Sequence, residues 1–230
     1  NCELDQEFIL IGGTQYKMDP FLILLGSFVS DGLTQSGFIL WMQKERKKDF
    51  IQHALEELGI RYSVQAKYIR IGPIYRQLVD YFKVLSVGAA NKYRPQFVWG
   101  LSQRQSVRLM NALTQGEYNQ NGSAGYVTSS KQLADDVQRL ALHCGWSGTI
   151  KLYNGREAGT TKTMRDGTII SHNYDQLAVR ILKKKNNPQV NNAHVHKQSR
   201  ETEEYIKFTG QVGCIEVPHS HLFFYKEDMY

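Results

Sequence analysis

Cysteine is scarce in this sequence, and the few present do not work together. Cys2, Cys144 and Cys214 are an odd, scattered set with no CxxC pair. That argues against a disulfide framework or a zinc site and fits a reducing compartment. Long apolar runs are also missing: nothing reaches the roughly eighteen residues of a membrane span, and no N-terminal signal pattern is present. The expectation is an intracellular protein without a membrane role. His194 and His196 alternate on one extended segment but lack a third ligand, so solvated linker histidines are the simpler reading. Acid is the minority sign, with 22 Asp and Glu against 28 Lys and Arg, a net charge of +6. Such an excess suits a polyanionic partner without requiring one. What remains is 230 residues with 41% apolar and 11% aromatic content, enough for one large core or two small ones.

The chain is organised around the stretch from Asp19 to Gly32. Asp19 suits a helix N-cap and Pro20 the first helical position, where no amide donor is needed. Phe21, Leu22, Leu25, Phe28 and Val29 recur at helical spacing, and Asp31-Gly32 closes the run. An acid in the last turn stands at the negative pole of its helix, where Lys or Arg is the stabilising choice. Two readings stay open: a bound cation, or a plain αL cap whose Asp faces water. Taken alone, the plain cap is the simpler one.

A second copy adds weight to the cation. Ser102 with Gln105 forms a capping-box signature opening another apolar helix through Val107, Met110, Ala112 and Leu113, which runs into Gly116-Glu117. Asp31 to Gly59 and Glu117 to Gly145 are the same distance apart, and at that offset of 86 residues Gly26 falls on Ala112. Small residues there are what two closely crossing helices require. Amphipathic helices ending at the glycines Gly59 and Gly145 follow in both copies, as do strand-like segments at 38–41 and 126–127. A repeat this long is no solenoid. It reads as a pseudo-twofold pair of half-domains.

These residues resemble a known family. Leu24–Gly32 looks like the first LAGLIDADG motif of a homing endonuclease, and Leu109–Glu117 looks like a second one. The stretch Ser86–Trp99 is similar to the linking block that carries the family's basic residue, here Lys92. Gly210–Phe223 resembles the start of the C-terminal splicing region of an intein, and the resemblance covers roughly residues 20 to 225. It implies an α+β fold of two αββαββα half-domains forming a DNA-binding saddle, with a small β extension from the splicing domain. The expected layout is a leading linker at 1–18 and an endonuclease at 19–185, comprising half-domains 19–85 and 101–185 around a linking block at 86–100. A basic linker at 186–206 and a partial splicing segment at 207–230 follow.

On this resemblance Asp31 and Glu117 would meet where the two helix poles converge. Two carboxylates and two negative poles repel unless a divalent cation lies between them, and oxygen donors favour Mg²⁺ (magnesium). Lys92 would stabilise charge developing near the attacking water. The reaction implied is metal-dependent hydrolysis of both strands of duplex DNA at a long site. Lys67, Arg70, Lys92 and Arg94 interleave with Tyr68 and Tyr93, which as a group suits DNA, although each alone reads as an outward position on a strand. Lys162 and Arg165 lie in a polar, basic hairpin and join Lys67, Arg70 and Arg94 as candidate DNA contacts. Cys214 and His221 stand where an intein's splicing-assisting residues lie, but no N-terminal splice block or terminal Asn accompanies them. The partners implied are double-stranded DNA and the exteins of a host protein, and the state implied is a monomer built as a pseudo-dimer, located where its host is. The second motif ends Glu117-Tyr118 where the family pattern is Asp-Gly, and Thr114 and Gln115 replace the apolar Phe28 and Val29. The alternative is therefore a non-cleaving DNA-binding remnant, or a structural spacer within an intein.

Overall fold

The computed structural model describes residues 4–42, 45–115, 124–153, 156–163 and 168–183. The chain divides into two units, Asn1–Asn187 and Pro188–Tyr230, and every described residue belongs to the first. The segments expected at 186–206 and 207–230, with Cys214 and His221, lie outside the described residues.

Within the stretch expected to be a linker, residues 8–17 are ordered into strands. β1 (Phe8–Ile11) and β2 (Thr14–Lys17) form an antiparallel hairpin. The reason is Gly12-Gly13: both have positive φ, +56° and +86°, as a two-residue primed turn demands. Ile11 and Tyr16 fold inward and join the core.

α1 (Met18–Asp31) is buried along its whole middle, from Pro20 to Val29. A helix apolar on every side belongs at the centre. Asp19 does not cap it; the N-cap is Lys17, with no side-chain cap bond. The Asp19 carboxylate instead receives Arg104 Nη1 and Nη2 at 2.6 and 2.8 Å, with Arg108 Nε at 3.3 Å. β3 (Gly32–Gln35), β4 (Phe38–Met42), α2 (Glu45–Glu57), β5 (Ser63–Val64), β6 (Tyr68–Ile71) and α3 (Arg76–Leu85) complete the first half. The strands form one antiparallel sheet in the order β3-β4-β6-β5. Alternation turns Ile39, Trp41, Ile69 and Ile71 inward, all fully buried. The Trp41 indole N–H donates to the Leu24 carbonyl of α1 at 3.1 Å.

The second half comprises α4 (Gln103–Thr114), β7 (Ala124–Thr128), α5 (Lys131–His143), β8 (Ser147–Leu152), β9 (Thr161–Thr163), β10 (Ile169–Ser171) and β11 (Leu177–Leu182). Among the described residues it departs from the expected αββαββα order, with one strand between its helices and no closing helix. Its sheet runs β7-β11-β8, and β9 and β10 form a separate hairpin. The fold is α+β, with antiparallel strand pairing in every sheet. Helix α5 sits on α2 at the offset of 86 residues, and both chains turn off at a glycine with positive φ, Gly59 and Gly145. The strands are out of step by one: Tyr126 and Val179 face the core, so β7 presents the opposite parity to β4. Only half of the expected capping box forms. Ser102 Oγ accepts from the Gln105 N–H at 3.1 Å, but the Gln105 amide turns away to pair with the backbone of Gln6.

α1 and α4 cross at the two residues the repeat aligned. A Cβ on Gly26 would stand 2.7 Å from the Ala112 Cβ, 3.0 Å from the Leu113 nitrogen and 3.1 Å from the Leu109 oxygen. None of those atoms can swing aside. Gly26→Ala should therefore lose about 1–3 kcal/mol in urea unfolding, although helix propensity alone would gain about 1 kcal/mol. Adding Ala112→Gly should recover part of the loss; no recovery would place the crossing elsewhere.

The Arg104 hydrogen bonds hold the Asp19 carboxyl below its ordinary value. The unfolded chain then takes up that proton first as pH falls. The stabilisation is complete above the usual carboxylate range and is lost as pH drops through the lower folded-state value. Urea midpoints followed from about pH 6 to about pH 3 should fall less in Asp19→Asn than in the parent chain. Parallel curves would contradict the assignment.

Candidate functional site

Asp19 at the start of α1 grips Arg104 and Arg108 in the first turns of α4, and the helices touch again at Gly26 and Ala112. Two contacts in the same order along both helices make them run the same way. Their negative poles therefore lie on the same side of the molecule. α1 ends there on Asp31; α4 is described as far as its C-cap, Gln115. Glu117 lies outside the described residues.

The pole of α1 is not a plain αL cap. Gly32 is extended, with φ −93° and ψ 161°, and its N–H donates to the Phe28 carbonyl. Glycine is needed there for space: a Cβ would run into the Phe28 ring. Cations do gather at this end, and two of them are lysines. Lys47 Nζ lies 2.6 Å from Asp31 Oδ2 and 2.9 Å from Ser30 Oγ. Lys92 Nζ donates to the carbonyls of Val29 and Ser30 at 2.8 and 2.7 Å. Each compensates part of the negative pole that the last turn of α1 leaves uncovered.

Lys47 was not singled out from the sequence. It stands in the first turn of α2, the wrong end of a helix for a cation, and its side chain is 1% exposed. A buried ammonium at a positive helix pole calls for a carboxylate, but the signal needs knowledge of burial. Lys92 is placed by its main chain: the Ser130 hydroxyl, which caps α5 by accepting from the Leu133 N–H, donates to the Lys92 carbonyl at 2.6 Å.

Arg94 corrects an expectation. It is 5% exposed, its N–H donates to Asp136 Oδ2 and its guanidinium lies 4.6 Å above the Trp99 ring. Burial pulls the guanidinium down to about 10, against the charge of Asp136. A phosphate has no access to it. Alternation misjudged Arg94 because the segment is a 3₁₀-flanked loop packed under α5, not a strand. Lys67 is exposed in the turn before β6, and Arg70 points outward from β6, its Nε on Ser63 Oγ at 3.1 Å and its charge 4.7 Å above Phe38. Lys162 is exposed on β9; Arg165 lies outside the described residues. The outer face of the second sheet adds exposed Thr149, Lys151 and Arg180, opposed across β8 and β11. Alternation along 147–152 and 177–182 was enough to find them.

Among the described residues, no three His, Cys, Asp or Glu side chains come together as a metal cluster. The donors at the pole are carboxylate and carbonyl oxygens without sulfur or imidazole, which in kind fits a hard divalent ion. Asp31 is the one described carboxylate that would hold it.

No family model matches the chain. It is 28% identical over 217 residues to the "DNA-directed RNA polymerase subunit beta C-terminal section" of Stigeoclonium helveticum, covering 81% of this chain and 19% of that protein. It is 38% identical over 160 residues to the "ATP-dependent Clp protease proteolytic subunit" of Chlamydomonas moewusii, covering 60% of this chain and 15% of that protein. The chain thus spans less than a fifth of either curated relative. Among solved structures, I-DmoI in complex with DNA and Mn aligns with 71% of this chain and 89% of its own, at 17% identity and a TM-score of 0.46. I-DmoI in complex with DNA and Ca gives the same identity, share of this chain and TM-score, over 83% of its own length. Values this low assign neither a function nor a site.

The Asp31–Lys47 pair yields a stability test. Asp31→Asn strands the Lys47 ammonium in the interior and should cost about 3–5 kcal/mol in urea unfolding. Lys47→Met combined with Asp31→Asn should cost clearly less than the two single changes together. Strict additivity would show that the two groups do not depend on each other.

Proposed function

We propose that this chain is the DNA-cutting part of an intein: a LAGLIDADG-type homing endonuclease that hydrolyses both strands of a duplex at a long site. The observation that carries the reading is the crossing of α1 and α4 at Gly26 and Ala112, with Asp31 at the shared pole. The two relatives support the insert. An RNA polymerase section and a protease subunit have no chemistry in common, yet each holds a segment like this one. An element that passes between unrelated host proteins accounts for that.

Asp31 and Glu117 would hold a divalent ion, Mg²⁺ being the proposed one. When bound, such an ion polarises the scissile phosphate and makes water a stronger nucleophile. Lys47 fixes the Asp31 carboxylate by gripping Oδ2, so that orientation is set before substrate arrives. Lys92, anchored on the α1 carbonyls, supplies positive charge beside the attacking water. Lys67, Arg70, Lys151, Lys162 and Arg180 neutralise phosphates or meet base edges along the two sheets and the β9–β10 hairpin, a role proposed also for Arg165, which lies outside the described residues. The protein acts as a monomer in the reducing compartment of its host, and Cys214 and His221 serve the splicing half, acting with the exteins.

One observation favours a second reading, a remnant that binds but does not cut. Phe28 and Val29 are 1% and 4% exposed, whereas the aligned Thr114 and Gln115 are only half-buried, so the α4 pole is less sealed. A plasmid carrying the host gene without its insert separates the two. Linearisation dependent on Mg²⁺ and lost in Asp31→Asn and Glu117→Gln is the expected result. Salt-sensitive binding without cutting, unrepaired by Glu117→Asp, would favour the remnant. Absence of any duplex binding would leave a spacer.

A further inference from the structure

The outer faces of the two sheets are built from different chemistry. On the second, exposed Thr149, Lys151 and Arg180 leave polar and cationic groups toward solvent beside the half-buried Val127, Ala178 and Leu182. On the first, the strand pairings put Leu33 beside Leu40 and Met42 beside Tyr68, with Phe38 next along β4. Leu40 is 8% exposed although it points away from the core, because its neighbours cover it, and Met42 is 37% exposed. Among the described residues of this face none is acidic. Its cations lie on the β6 side: Arg70, paired with Leu40 in the same row and drawn over the Phe38 ring at 4.7 Å, and Lys67 in the exposed turn before β6. An apolar strip along β3 and β4 with cations beside it is unusual on a solvated sheet.

We propose that the outer face of the first sheet reads thymine methyl groups in the major groove, so that one half of the recognised duplex is thymine-rich and is selected by apolar contact. The proposal rests on the DNA-binding reading above. Its physical basis is that the C5-methyl of thymine is the one apolar group a base pair shows in the major groove, while phosphates line the groove's edges. An apolar strip on β3 and β4 can meet those methyl groups while Arg70 and Lys67, on its β6 side, reach a phosphate edge. The second sheet, carrying Thr149, Lys151 and Arg180, reads its half by hydrogen bonds and charge. Phe38, Leu33 and Met42 are therefore specificity residues, not catalytic ones.

The test uses the whole chain and duplexes selected from a random-sequence pool. In the selected site, replacing thymine by deoxyuridine removes the methyl and nothing else. In one half this should weaken binding about fourfold per methyl buried, and in the other half it should have little effect. Phe38→Ser and, as a milder surface change, Met42→Gln should abolish the thymine–uracil difference in that half. Lys151→Ala should weaken binding to thymine and uracil duplexes alike. Deoxyuridine tolerated in both halves of a tightly bound site would overturn the proposal and leave DNA binding standing. So would discrimination that survives Phe38→Ser while that variant loses self-association or a protein contact. Failure to enrich any sequence, with no salt-sensitive duplex binding, would remove the DNA reading and this inference together.

Discussion

A helix that ends in an acid at its negative pole is electrostatically ill-made, and the arrangement around α1 exists to correct that. Its last turn has no basic residue of its own. Lys47, sixteen residues on, and Lys92, still further along, bring the missing charge from other elements. Neither is a casual surface contact. A buried ammonium without a partner costs several kcal/mol, so Lys47 ties α2 to Asp31, and the alkyl stem and charge of Lys92 tie the linking block to the α1 carbonyls. The path of the chain from β4 into α2, and from α3 into α4, is constrained by the need to deliver those two amines.

The second constraint is close approach. α1 is buried on all sides, its Phe21 and Phe28 packing with Trp41 and Phe82 in tilted and edge-to-face contacts at centroid separations of 4.7 to 6.3 Å. It can accept α4 as well only because Gly26 presents no side chain and Ala112 presents the smallest. The same core runs through both halves of the first unit. The halves are related by repetition but fused in packing, which is why residues such as Gln6 and Gln105, remote in sequence, close each other's hydrogen bonds.

Much of this was readable in advance where period and punctuation agreed. The helices α2 and α5, with Gly59 and Gly145 behind them, follow from apolar spacing and the αL demand alone, and the aligned pair Gly26 and Ala112 follows from the repeat. The errors share a cause. Asp19 looks like a cap because capping is local, but Arg104 and Arg108 outbid the backbone from 85 residues away or more. Gly12-Gly13 reads as slack until the strands on either side are known to pair. Arg94 and Lys47 are both basic residues in basic neighbourhoods, and only burial separates the one that stacks under α5 from the one that serves the pole. Burial of a charged side chain is a tertiary fact, and no window along the chain contains it.

Ser130 has a single hydroxyl proton, and it is committed to the Lys92 carbonyl while the oxygen caps α5. That one side chain links the beginning of a helix in the second half to the backbone of a lysine in the linking block. α5 packs on the second sheet, so this hydroxyl connects the support of that sheet to the residue whose amine holds the Val29 and Ser30 carbonyls. The footing of one sheet and the placement of that charge thus share a single side chain.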